Sequence, residues 1–141
     1  MKSIILKLSH YKAVEHIFKE TFEPITFPSS DLKISWDNRC QDKSYAFLID
    51  NKLIGFVISS YHNNNNNNLY IDYIAFDKIY RGKGLGTYIM TTDILINNKS
   101  VHAYPKSPEL LPWYKRLGFY ETLNGYYNFN SYNTRVRSLT I

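Results

Sequence analysis

The segment from Tyr80 to Met90 reads YRGKGLGTYIM and carries three glycines within five residues. Glycine-rich turns let the backbone approach a phosphate closely. Gly-x-x-x-x-Gly-Lys-Ser/Thr needs a triplet that the chain lacks, and Gly-x-Gly-x-x-Gly needs a glycine where Thr87 stands. Gln/Arg-x-x-Gly-x-Gly/Ala fits at its three fixed positions, Arg81, Gly84 and Gly86. We therefore predict a turn that holds a pyrophosphate.

The elements around this turn support that reading. Leu69–Phe76 has the β-branched and aromatic residues of a strand, and Leu85–Ile96 has the apolar spacing of a helix. The turn thus opens a helix, where free N–H groups and the helix dipole favour an anion. The segment that would wrap the pyrophosphate comprises Arg81, Gly82, Lys83, Gly84, Leu85, Gly86 and Thr87.

The remaining pattern predicts strands and helices in mixed order. A strand over Ser3–Ser9 precedes a helix over Tyr11–Phe22, and a second short helix starts after Ser29 or Ser30. Two apolar strands flank a tight turn at Asp50–Asn51–Lys52. Further predicted elements are a strand at VHAY, a helix in SPELLPWYKRLG, and strands at FYETL and from Tyr126 onward. The order β-α-(α)-β-β-β-α-β-α-β-β indicates one α/β domain with a mixed sheet.

Composition narrows the classes of partner. The chain has 141 residues and a formal net charge of +5, which suits an anionic partner. Its Lys and Arg residues are scattered, which argues against a dedicated nucleic-acid binder. Cys40 is the only cysteine, and the apolar run at the N-terminus breaks at Lys7. We therefore expect a cytoplasmic protein without a membrane segment.

Two motifs together resemble a known family. YIAFDKIYRGKGLGTYIM resembles the acetyl-CoA-binding motif of the GNAT superfamily of N-acyltransferases. YKRLGF, at Tyr114–Phe119, matches that family's second signature, Tyr-x-x-x-Gly-Phe. The resemblance covers about Ser3–Tyr127. It implies a single GNAT domain over residues 1–141, with a mixed, mostly antiparallel sheet of six or seven strands, flanking helices and a splayed cofactor cleft.

The resemblance also implies roles for individual residues. Acetyl-CoA would be the acetyl donor, and no metal is implied. The strand positions Ile74, Ala75 and Phe76 would contact the pantetheine arm. In the second motif, Ser107 replaces the asparagine that usually contacts the pantetheine arm, so that contact is weakened. Pro112 requires the last helix to start near it or to have a distorted first turn.

Transfer of an acetyl group to an amine needs a base for the amine and a proton donor for the departing thiolate. By resemblance Tyr114 is the general acid, although it is also a candidate core aromatic. Tyr70 with His102, twelve residues before Tyr114, resembles the base arrangement of the protein N-terminal acetyltransferases. Asp72 shares a strand face with Tyr70 and is a second candidate base; water alone is a third.

The acceptor is the least constrained part of the prediction. Phe27 lies in a segment where such enzymes grip a substrate, and Tyr126 and Tyr127 lie where they place a tyrosine-bearing hairpin. We expect a primary amine of a protein, a peptide or a small molecule, and a monomer or homodimer. The alternative is an acetyl-CoA-binding module without catalytic activity.

Overall fold

The computed structural model describes residues 1–22, 29–61 and 68–130, and within them a seven-stranded sheet has the order β1-β2-β3-β4-β5-β7-β6. The strands run antiparallel except for the parallel pair β4 and β5, among the pairings that the structure describes. The strands are β1 (Lys2–Ile5), β2 (Tyr45–Ile49), β3 (Lys52–Tyr61), β4 (Asn68–Phe76), β5 (Ser100–Ala103), β6 (Tyr120–Glu121) and β7 (Tyr127–Asn130).

Four α-helices accompany the sheet in the described part of the chain. They are α1 (Tyr11–Phe22), α2 (Ser29–Asp37), α3 (Leu85–Ile89) and α4 (Leu111–Leu117). The predicted element order is confirmed, as is the mixed, mostly antiparallel sheet with flanking helices. The observed strand β1 is shorter than predicted, because a 3-10 turn occupies Leu8–His10.

The chain forms two compact units. The first comprises Met1–Ser60 and Asp72–Gly86, and the second comprises Tyr61–Ile71 and Thr87–Ile141. The single domain expected over residues 1–141 stays a prediction. Among the described residues, no helix has the length and apolar character needed to cross a membrane.

The first unit is built on α1. Val14, Ile17 and Phe18 recur at spacings of three and one, so they lie on one helix face, and all are buried. The core that they enter holds thirteen buried residues: Leu6, Val14, Ile17, Phe18, Phe22, Leu32, Trp36, Ala46, Leu53, Phe56, Ile58, Tyr73 and Ala75. The hairpin of β2 and β3 closes through Asp50 and Asn51, whose φ angles of 50° and 63° give the left-handed turn that suits strand twist.

In the second unit the strands β4, β5 and β7 have one apolar face and one polar face. The register pairs Leu69 with Val101 and Val101 with Phe129, and these side chains are buried. One residue along each strand, Tyr70, His102 and Asn128 lie opposite one another and are half-buried. Successive side chains of a strand point to opposite faces, so the polar residues share the face opposite the core. The last pair of the β4–β5 ladder is Ile71 with Ala103, and β4 continues to Phe76.

The helices near the two motifs differ in detail from the prediction. The α-helix expected over Leu85–Ile96 is α-helical only to Ile89 and continues as a π-helical turn over Met90–Ile94. The last helix starts at Leu111, which puts Pro112 in its first turn, where no backbone hydrogen bond is lost. Gly118 ends it with a φ of 103°, a left-handed C-cap that glycine adopts without strain.

Candidate active site

The glycine-rich turn lies in the first unit and is shaped by two left-handed glycines. Gly82 and Gly84 have φ angles of 75° and 79°, and a Cβ built on either would meet no heavy atom of the described residues within 4 Å, apart from its own chain neighbours. Glycine is therefore required there by backbone conformation, and the space that a side chain would fill is open. In proteins, a left-handed residue next to a right-handed one turns successive N–H groups to one side, which is the backbone arrangement that binds anions.

Arg81 holds the start of this turn in place. Its Nε donates to the carbonyl oxygen of Phe76 at 2.8 Å, and its Nη2 donates to Thr21 Oγ1 on α1 at 2.6 Å. A guanidinium has five N–H donors, so these two bonds leave donors for a ligand. The side chain is exposed, and the next cation along the turn, Lys83, lies with its Nζ 5.8 Å from the centroid of the Tyr80 ring.

The strand positions predicted to contact the pantetheine arm precede this turn. Ala75 and Phe76 are buried, whereas Ile74 is half-buried. Phe76 stacks on Phe47 with ring centroids 5.4 Å apart. Its ring also lies against Gly55, where an added Cβ would be 2.5 Å from a ring carbon, so the end of β4 is closely packed on β3.

Tyr114 lies in the second unit on α4, with only 4% of its surface exposed. Its ring makes edge contacts with Trp113 and Phe119, at centroid distances of 5.0 Å and 5.1 Å, and faces Tyr127 at 6.4 Å. Burial raises the pKa of the Tyr114 phenol to about 12. Its hydroxyl has no hydrogen-bond partner among the described residues. The ring is therefore fixed by packing while the O–H group stays available as a donor.

Ser107 and Thr87, two of the predicted cofactor-binding residues, each accept a hydrogen bond through the side-chain hydroxyl. The Ser107 hydroxyl accepts the Glu109 N–H at 3.3 Å and caps the 3-10 turn before α4. The Thr87 hydroxyl accepts the Trp113 indole N–H at 2.9 Å. This bond joins α3, which the glycine-rich turn opens, to the residue before Tyr114.

The structure brings Tyr70 and His102 together. They are register partners in the parallel ladder of β4 and β5. His102 Nδ1 lies 2.6 Å from Asn128 Oδ1, and His102 Nε2 lies 3.2 Å from Ser100 Oγ. The alternative base, Asp72, belongs to the first unit, where its Oδ1 accepts a hydrogen bond from Ser60 Oγ at 2.8 Å.

The predicted substrate residues fall in three different settings. Tyr126 is 42% exposed and makes an edge contact with Tyr104 at a centroid distance of 5.0 Å. Tyr127 is 1% exposed and its hydroxyl donates to Glu121 Oε2 at 3.0 Å. Burial raises the pKa of the Tyr127 phenol, and the hydrogen bond to Glu121 and the charge of that carboxylate raise it further. Phe27 lies outside the described residues.

Four further residues contact the predicted site residues and were not predicted from the sequence to have a role. Asn128 and Ser100 contact His102, Trp113 contacts Thr87, and Tyr104 contacts Tyr126. Asn128 and Ser100 become visible only through strand register. The signal for Trp113 was present, since it is next to the motif tyrosine, but a tryptophan there reads equally well as packing.

The part of the chain that matches a known protein family includes both motifs. Residues 11–119 match the family described as Acetyltransferase (GNAT) family, so the chain belongs to the GNAT acetyltransferases. None of the curated proteins compared with this chain matches it.

Three solved structures share the fold. A GNAT acetyltransferase from Staphylococcus aureus Mu50 superposes with a TM-score of 0.73 at 15% identity, covering 92% of this chain and 98% of that one. The ribosomal-protein-S18-alanine N-acetyltransferase from Escherichia coli gives 0.68 at 16% identity, with 92% of each chain covered. A GNAT acetyltransferase from Brucella melitensis in complex with acetyl-CoA gives 0.67 at 10% identity, covering 92% and 86%.

Proposed function

We propose that this protein transfers the acetyl group of acetyl-CoA to a primary amine, by direct attack within a ternary complex. The observation that carries the proposal is Tyr114, a tyrosine whose ring is fully packed and whose hydroxyl has no partner among the described residues. An N-acetyltransferase needs a proton donor for the departing thiolate, and a phenol whose ring is fixed by packing and whose O–H is not engaged by the described residues suits that role.

Binding of acetyl-CoA is supported by the first unit. The left-handed Gly82 and Gly84 provide the open, donor-lined turn that a pyrophosphate requires, and the two hydrogen bonds that Arg81 makes within the described part of the chain use only two of its five N–H donors. We assign the backbone of Ile74–Phe76 to the pantetheine arm, and the turn from Arg81 to Thr87 to the pyrophosphate. The acetyl-CoA complex of the Brucella melitensis relative makes the same donor reasonable here.

The chemistry then requires three proton and charge movements. The amine forms a C–N bond to the thioester carbonyl carbon of acetyl-CoA, and the C–S bond breaks when the resulting tetrahedral intermediate collapses. The attacking amine, with a pKa of about 10 in water, must lose a proton, and we assign this proton to His102 acting with Tyr70 through water. Tyr114 donates its O–H to the departing thiolate. Backbone N–H groups stabilise the oxyanion of the tetrahedral intermediate.

For the acceptor we propose the α-amino group of a peptide or protein. The Tyr70 and His102 pair is the arrangement expected for such acceptors, and the exposed Tyr126, braced by Tyr104, provides an aromatic surface beside the hairpin of β6 and β7. The E. coli relative is named as an N-acetyltransferase of a ribosomal protein alanine. Buried Tyr127 supports the hairpin from the core side.

The decisive experiment measures free thiol released from acetyl-CoA with a panel of peptides with free α-amino groups, lysine-containing peptides with blocked N-termini, and polyamines. We expect release with the first group above the rate of hydrolysis without amine. Release with polyamines alone would refute the acceptor class. Acetyl-CoA binding without release for any amine would leave the binding module as the function.

A second experiment tests the base. His102→Ala should remove the neutral-pH inflection from the profile of kcat against pH, because histidine is the side chain that titrates there. Asp72→Asn provides the comparison for the alternative base. An unchanged profile for His102→Ala, together with a changed one for Asp72→Asn, would move the role to Asp72.

A further inference from the structure

His102 is contacted at both ring nitrogens by side chains on the polar face of the second unit. Nδ1 lies 2.6 Å from Asn128 Oδ1, and Nε2 lies 3.2 Å from Ser100 Oγ. The partner at Nδ1 is an amide oxygen, which can only accept, so Nδ1 must carry the proton. The contact at Nε2 is longer than the 2.5–3.0 Å usual for an O–H donor, so the stronger of the two bonds is the one at Nδ1.

The backbone holds these residues in place. His102 and Asn128 are direct register partners in the antiparallel ladder of β5 and β7, where opposed Cβ atoms lie only about 5 Å apart. The neighbouring pairs Val101 with Phe129 and Ala103 with Tyr127 are buried, so the strands cannot shift without exposing the core. The register of β5 and β7 therefore places Asn128 opposite His102.

We propose that Asn128 is a positioning residue that fixes neutral His102 as its Nδ1–H tautomer, leaving the Nε2 lone pair as the base. Free histidine favours the opposite tautomer, with the proton on Nε2, so without Asn128 the lone pair would lie on the wrong side of the ring. The hydroxyl of Ser100 donates weakly to Nε2 at rest and can rotate away when an amine or a bridging water presents its proton. The base role rests on the proposed function, whereas the tautomer does not.

The test of the tautomer uses the unliganded protein. The ring nitrogens of ¹⁵N-histidine-labelled protein are recorded at alkaline pH, where histidine is neutral, and His102→Gln identifies the signal among the four histidines. We expect the protonated-type shift at Nδ1 and the unprotonated-type shift at Nε2 of His102. The reverse assignment in the wild-type protein would overturn the proposal without any variant being needed.

Variants then connect the tautomer to Asn128. Asn128→Leu keeps the side-chain size but removes the acceptor, and we expect His102 to revert to the Nε2–H form. Asn128→Asp keeps an acceptor oxygen and should retain the Nδ1–H form. The matched control is Asn130→Leu, on the same strand and face but paired with Ser100, and it should leave the His102 tautomer unchanged. A wild-type tautomer in Asn128→Leu would overturn the assignment of Asn128.

Kinetics separate this inference from the proposed function. With a peptide that the wild-type protein acetylates, Asn128→Leu should lower kcat by about 10- to 100-fold with the KM for acetyl-CoA unchanged, and Asn128→Asp should recover most of it. If the protein acetylates no amine, the function fails while the tautomer result stands. If it acetylates peptides with His102 in the Nε2–H form, the function stands and the positioning role fails.

Discussion

Replacing Tyr114 by phenylalanine removes one oxygen atom and leaves the packing of the ring. The ring contacts with Trp113, Phe119 and Tyr127 all involve carbon faces and edges that phenylalanine retains. The lost hydroxyl has no partner among the described residues, so the substitution breaks no hydrogen bond within that part of the chain. We expect the free energy of unfolding to change by less than about 1 kcal/mol, in either direction.

The effect on catalysis follows from the raised pKa. The Tyr114 phenol has a pKa of about 12, whereas a thiol has one of about 8.5. Complete proton transfer to the thiolate is therefore uphill by about 3.5 pKa units, or about 5 kcal/mol. Donation of a hydrogen bond to the developing charge contributes about 1.5–3 kcal/mol without that transfer. The hydrogen bond is the larger effect at the start of C–S cleavage, and its loss corresponds to a fall in kcat of about 10- to 150-fold.

The assay compares kcat, the KM for acetyl-CoA and the free energy of unfolding for Tyr114→Phe and the wild-type protein. We expect kcat to fall by the stated factor while the other two quantities hold. The matched control is Tyr73→Phe, which makes the same change at another buried tyrosine with a pKa of about 12, and it should leave kcat unchanged. A Tyr114→Phe enzyme with wild-type kcat would refute the donor role.

Three further predictions concern stability and cofactor binding. The folded-state pKa of Tyr114 lies above the unfolded value of about 10, so its contribution of about 2–3 kcal/mol to the free energy of unfolding is complete below pH 10 and is lost as the pH rises through 12. Denaturant unfolding between pH 9 and 12 should therefore show a smaller loss of stability for Tyr114→Phe than for the wild-type protein. Equal losses would contradict this. Gly55→Ala places a Cβ 2.5 Å from a ring carbon and should lower the free energy of unfolding by about 3 kcal/mol. Gly84→Ala has open space but a φ of 79°, so it should lower the free energy of unfolding by only about 1–2 kcal/mol and weaken acetyl-CoA binding in titration calorimetry. A more stable Gly55→Ala than Gly84→Ala would contradict this. Arg81→Ala and Thr21→Val should show a coupling free energy of about 0.5–1 kcal/mol in a double-mutant cycle, and additive effects would show that their 2.6 Å hydrogen bond does not form in solution.

The elements of the fold were predictable because local signals specify them. The apolar spacing in Tyr11–Phe22 gave the bounds of α1 as observed, and Asp50–Asn51 marked the hairpin because both residues tolerate positive φ. The π-helical turn over Met90–Ile94 was not predictable, since its apolar residues suit an α-helix equally well. The ambiguity at Pro112 was a matter of one turn, and the helix start at Leu111 resolves it.

The sequence can propose site residues only where they lie in a contiguous motif or match a family pattern, and the assigned roles stay predictions. The glycine spacing marked the turn but not the left-handed conformations of Gly82 and Gly84, and no local pattern could establish that Tyr70 and His102 form a register pair. Asn128 lies 26 residues from His102 and belongs to no motif, so only the ladder of β5 and β7 reveals it. Local patterns identify turns and caps, but partners across strands depend on register.

The register also bears on the run of six asparagines that ends at Asn68. Asn68 is the first residue of β4 and pairs with Ser100, directly before Leu69 enters the core. If the run gained or lost a residue, an asparagine would still occupy the position opposite Ser100, and every side chain from Leu69 onward would keep its partner. A run of identical residues at this point therefore allows insertion or deletion of one asparagine without a change in the register that pairs Tyr70 with His102.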